Sequence, residues 1–182
     1  MQPNSDEKTV WMEITKSTND HGGEGWEFGT CLWSPCTAQA GGDRYRVMRL
    51  PKRGEPVIHC YDAVYMGVSR VSEECMIVDS APPRPAPWTN CGIFYRIELS
   101  NYRPFPHQLS RSQFISDHSE KLLAEIEAAH PSRYPFIYHT RRITTVQGQF
   151  LTIVTPKLLG ILIDALSIDD RFILDPDEPR YL

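Results

Sequence analysis

Trp33 and Trp88 are the side chains with most to offer a flat ligand. Trp33 lies in Thr30-Cys31-Leu32-Trp33-Ser34-Pro35, and Trp88 follows Ala81-Pro82-Pro83-Arg84-Pro85-Ala86-Pro87. Each stands beside a Gly- or Pro-rich irregular stretch and next to an expected strand. A large aromatic ring in such a place either plugs a small core or stacks on a ligand, and two facing rings sandwich one purine or pyrimidine. Stacking returns about 1–3 kcal/mol per base, against a few kcal/mol to extrude a base from a duplex. A methyl group on the base adds only roughly 0.8 kcal/mol, so hydrogen bonds must specify which base is held. Asn19, Ser34 and the backbone around Cys31 offer them.

Affinity for a nucleic-acid strand needs phosphate contacts too. Arg44, Arg46, Arg49, Lys52 and Arg53 put five positive charges into ten residues, offset locally by Asp43 alone, and Arg84 precedes Trp88. The chain as a whole carries a net charge of −4, so nothing global attracts nucleic acid and this local cluster must do so. The competing reading of the cluster is a solvated face, and that of both tryptophans is core.

Other chemistry is poorly supported. His59 and Cys60 are adjacent on an expected strand, so their side chains leave by opposite faces and make no catalytic pair. Gly22-Gly23-Glu24-Gly25 lacks the Lys-Ser/Thr that a phosphate-binding loop requires. The five cysteines, Cys31, Cys36, Cys60, Cys75 and Cys91, form no CxxC pair. They read as reduced, mostly buried thiols of a cytoplasmic protein, with no metal and no cofactor. No apolar run approaches the ~18 residues of a membrane span.

The elements that must position these groups follow from periodicity and breakers. Strands are expected over 10–15, 26–33, 55–61, 64–71, 75–78 and 93–99, with Asp62-Ala63 as a tight hairpin connection. A short helix is expected over 43–50. Helices follow over 116–129 and 158–166, the latter started by Thr155 as cap and Pro156 in its first turn. Short strands are expected over 136–138 and 149–154. Residues 169–182 read as an acidic linker. Strands followed by helices predict an α+β fold around a curved or barrel-like antiparallel sheet.

The ordered set Gly29-Thr30-Cys31-Leu32-Trp33-Ser34, Val57-Ile58-His59-Cys60-Tyr61, Tyr65-Met66-Gly67-Val68-Ser69-Arg70-Val71, Trp88 and Gly92-Ile93-Phe94-Tyr95-Arg96-Ile97-Glu98-Leu99 resembles the EVE and YTH domains of the PUA-like superfamily. The nearest likeness is to the N-terminal modules of McrB-type and HNH-type modification-dependent restriction systems. The resemblance covers roughly residues 8–115. It implies a PUA-like curved antiparallel or mixed β-barrel flanked by helices. It also implies an aromatic cage that takes up a flipped, modified base.

In the resemblance Trp33-Ser34 matches the first cage segment, Trp88 the second tryptophan and Asn19 the loop residue that meets the base edge. The loop after Trp88 has nothing large, so either Tyr65, Tyr61 or Trp26 closes the cage or the cage has two walls. The expected organisation is a base-binding domain over 1–115 and a helical extension over 116–182 packed on it. The expected function is non-enzymatic. It is recognition of methylated or hydroxymethylated cytosine, or N6-methyladenine, in DNA, as the reading module of a restriction system whose nuclease or GTPase effector lies in a longer chain or a partner. The alternatives are an RNA-binding module and an ASCH-like nucleoside hydrolase, which needs a Lys, Thr and Glu constellation; Lys16 and Glu13 are present, but no spacing singles them out.

Overall fold

The first strand shows how the sequence builds two cores. In β1 (Val10–Thr15), Val-Trp-Met-Glu-Ile-Thr sends alternate side chains to opposite sides. Val10 and Met12 join one buried cluster and Trp11 another. The computed structural model describes residues 8–16, 29–37, 41–43, 45–82, 92–128, 134–146 and 150–175.

β2 (Cys31–Pro35), β3 (Pro56–Tyr61), β4 (Val64–Val78) and β5 (Phe94–Ser110) follow, with a 3-10 turn at Arg46–Arg49 before β3. Then come α1 (Arg111–Asp117), α2 (Ser119–Ala128), the hairpin β6 (Phe136–His139) and β7 (Arg142–Thr145), β8 (Leu151–Val154), α3 (Pro156–Leu166) and α4 (Asp170–Leu174). Six strands form one curled, half-barrel sheet in the order β2-β5-β4-β3-β1-β8. β1 and β3 are parallel and the other pairs antiparallel. The fold is α+β, as the residue pattern predicts.

One face of the sheet packs against the helices. Met12, Ile58, Cys60 and Val68 meet Phe114 of α1, Leu122 of α2, Leu158 and Leu162 of α3 and Ile173 of α4. The other face gathers Trp11, Leu32, Val57, Val71, Ile97 and Leu99 around Met48 of the 3-10 turn. β8 completes the sheet beside β1, and α3 fills the first core. α3 begins as expected, with the Thr155 hydroxyl accepting from Leu158 N–H and Pro156 in its first turn.

Several expectations change: the second strand is Cys31–Pro35, the helix expected over 43–50 is the short 3-10 turn, and the helix expected over 116–129 is α1 and α2, broken at His118. The strand at 75–78 is the end of β4, and the strand from 93 runs to Ser110. Register breaks along the β4–β5 pair, and Asn101 with φ +54°, let these long strands bend. The start of the expected linker is helical. Arg70 Nη2 donates to the Ile173 carbonyl, and Arg103 Nη2 donates to the carbonyls of Phe172 and Asp175. Two cations on the last carbonyls suit the negative end of a helix.

Candidate nucleic-acid interface

Trp33 sits on β2, at one edge of the sheet, directly opposite Arg96 of β5. Cys31 is two residues away on the same side, and the indole packs with Cys31, Phe94 and Val78. The Arg96 guanidinium lies over the indole, 4.5 Å from the ring centroid. Its Nε is 2.7 Å from Glu98 Oε1, with both side chains about a third exposed at 29%. The Nε–H is not aimed at that oxygen, so the contact is an ion pair rather than an aligned hydrogen bond. Trp33 itself is 4% exposed. An indole already open to solvent is therefore not what the structure presents: the ring lies beneath the Arg96 guanidinium.

Strand alternation divides the remaining candidates. Ser34 is next to Trp33, so its side chain turns to the opposite face, where its buried Oγ has no hydrogen-bond partner among the described residues. Only the Ser34 backbone can serve the slot that Trp33 lines. Tyr65 is corrected from cage wall to core. It is fully buried, edge-on to Phe114 at 5.4 Å, among the residues that meet the helices. Asn19, Trp26, Arg44, Arg84 and Trp88 lie outside the described residues.

The basic cluster is solvated, as its side chains require. Arg46, Arg49, Lys52 and Arg53 are exposed, and Lys52 Nζ is 3.6 Å from Glu74. The 3-10 turn is held down by Met48, which is buried with Leu32, Tyr95 and Ile97. Those side chains leave the β2–β5 pair on the face away from Trp33 and Arg96. The basic turn and the tryptophan are thus on opposite faces of the β2–β5 pair.

A second polar group was not foreseen from the sequence. Glu13, His59 and Ser69, from β1, β3 and β4, form a buried chain. His59 Nδ1 donates to Glu13 Oε2 at 2.5 Å, which leaves Nε2 to accept from the Ser69 hydroxyl in the neutral imidazole. Tyr102 lies edge-on to His59 at 5.8 Å. Close packing around Tyr102 explains Gly67: an added Cβ would lie 2.3 Å from the Arg103 carbonyl oxygen. The order acid–imidazole–hydroxyl is the one that activates serine nucleophiles, but Ser69 is only 1% exposed, so the chain as folded ties three strands together. His59 points away from Cys60, which is in the helix-side core. Glu13 is committed to His59 while Lys16 is exposed, so those two do not converge as a hydrolase site.

The thiols are quiet. Burial raises the Cys31 and Cys60 thiols to about 11, against smaller opposing effects from Thr30 on the first and Arg111 on the second. Cys75 is likewise raised to about 11 by burial. Cys31 is a neutral wall beside Trp33 rather than a nucleophile. Among the described residues, no helix is long and apolar enough to cross a membrane.

No family model matches the chain, and no curated protein does. Solved structures do. Human THYN1, in complex with 5-methylcytosine-containing DNA, matches over 89% of this chain and 99% of its own, with a TM-score of 0.52 and 11% identity. The N-terminal domain of McrB from Staphylothermus marinus matches over 85% and 93%, with a TM-score of 0.44 and 14% identity. The ASCH protein of Zymomonas mobilis, as its S128A mutant, matches over 85% and 94%, with a TM-score of 0.45 and 10% identity. The chain shares its overall fold with THYN1.

Proposed function

We propose that this chain is a reader of modified bases in DNA, not an enzyme. The observation that carries the reading is the fold, shared over nearly the whole chain with a protein solved on 5-methylcytosine-containing DNA. Trp33 at the sheet edge supplies one stacking face, and Trp88 supplies the other. Asn19, with backbone groups at Cys31 and Ser34, reads the base edge. Arg44, Arg46, Arg49, Lys52, Arg53 and Arg84 hold phosphates. The basic turn is on the far face of the β2–β5 pair from Trp33, so phosphate and base contacts fall on different faces of that pair.

The modification is methylated or hydroxymethylated cytosine, or N6-methyladenine. The resemblance of residues 8–115 to restriction-system modules supports a role in phage defence, with a nuclease or GTPase effector doing the cutting in the cytoplasm. Binding is tested by anisotropy titrations with duplexes carrying each modification, their plain counterparts and matched RNA. One modified duplex binds more tightly than its plain counterpart and than the RNA. Equal binding of all of them overturns the reading. An RNA preference moves it to an RNA module.

A further inference from the structure

The geometry points to Arg96 as a binding residue of this site: its guanidinium occupies the stacking face of Trp33 in the empty protein and is displaced by the incoming base. This rests on the base-reading function proposed above. Three observations support it. Arg96 is the cross-strand partner of Trp33, so both side chains leave the same face of the β2–β5 pair. The guanidinium carbon sits 4.5 Å from the indole centroid, within cation–π range, which leaves no room for a base between them. The indole is 4% exposed, whereas the arginine side chain is 29% exposed, so the arginine is the more accessible member of the pair.

A planar guanidinium on an indole face mimics a heteroaromatic ring in shape and in the quadrupole it satisfies. It keeps a large aromatic surface from standing open near an exposed apolar residue, Met76, the cross-strand partner of Arg96 on β4. Glu98 gives the displaced cation somewhere to go. It already lies 2.7 Å from Nε, and it projects from the same side of β5 two residues on. The exchange swaps one stacking partner for another and keeps the ion pair. Base–indole stacking is the stronger of the two contacts, so a flipped base wins the face, while an unflipped duplex does not. The latch thereby imposes a uniform penalty on entry, and removing it favours any ring that stacks on Trp33.

The test uses the free nucleoside 5-methyl-2′-deoxycytidine and the duplex carrying 5-methylcytosine, titrated against the parent, Arg96→Ala, Arg96→Gln and Glu98→Gln, with thermal melts confirming folding. Nucleoside binding is read by indole fluorescence. Both Arg96 variants are expected to bind the nucleoside about threefold to fivefold more tightly than the parent, the reach of one half-exposed cation–π contact. Glu98→Gln is expected to bind it as the parent does, because the ion pair is kept on both sides of the exchange. If the Arg96 variants bind the nucleoside equally or more weakly, while the parent still discriminates modified from plain duplex, the latch is overturned and base reading stands. Weaker binding makes Arg96 a fixed cap over the base. If neither parent nor variants discriminate, the base-reading function falls and the latch falls with it.

Discussion

The carboxylate of Glu13 lies 2.5 Å from Nδ1 of His59, across two neighbouring parallel strands and out of reach of water. A buried acceptor and donor so matched are costly to separate, because either partner left alone keeps its desolvation penalty. Glu13→Ala is expected to destabilise the protein by about 3 kcal/mol in urea denaturation. A double-mutant cycle with His59→Ala should show strong coupling. A loss well under 1 kcal/mol would mean the contact is incidental.

The hairpin between β3 and β4 turns through Asp62 and Ala63, with φ values of +46° and +63°. Two consecutive left-handed residues make the turn that matches strand twist, and alanine is poorly suited to the second place. Ala63→Gly is expected to raise stability by about 0.5–1 kcal/mol, read as a higher melting temperature. A lower one would contradict the turn geometry.

Arg103 ties α4 to the sheet through two carbonyls and through the Phe172 ring, 4.8 Å from its guanidinium. Arg103→Ala should speed amide exchange across 170–175 at least tenfold and leave the β1–β3 amides protected. Unchanged exchange at 170–175 would show that Arg70 and the burial of Ile173 suffice.

The buried thiols link stability to alkali. Cys31, Cys60 and Cys75 are each raised to about 11. A raised pKa means the folded state holds its proton longer than the unfolded chain. The stability this contributes is complete below the unfolded thiol value near 9 and is lost as pH climbs through about 11. Melting temperature should therefore fall between pH 9 and 11, less steeply in Cys60→Ala. At pH 8 the folded protein should react slowly with iodoacetamide at all three positions.

What the sequence discloses depends on whether the signal is local. β1, β3 and the Asp62-Ala63 turn are written in alternation and hairpin length, and α3 in Thr155-Pro156. β6 and β7 are joined by Thr140-Arg141, both at positive φ without glycine or asparagine to announce it, so the hairpin stays hidden. Pro104 and Pro106 read as breakers, yet β5 carries both. α4 is too short to signal itself and is held by arginines 103 and 69 residues away. At the site, the Trp33 segment is legible because its type and setting are unusual. The Arg96 contact is not, since it needs the β2–β5 register, and neither is the split of Trp33 and the basic turn between two faces. Tyr65 was misplaced for the same reason: an aromatic on a strand declares burial or display only once its face is known.

The most direct test of the base-reading account is the ratio of dissociation constants for plain and modified duplex, measured on the parent and on Trp33→Leu. Leucine fills most of the space beside Cys31 and Phe94 without an aromatic face, so the fold should survive a loss of about 1–3 kcal/mol. The account predicts a parent ratio well above one that collapses to about one in the variant, while the salt dependence of binding persists. A folded Trp33→Leu protein that still distinguishes the two duplexes as the parent does would contradict it.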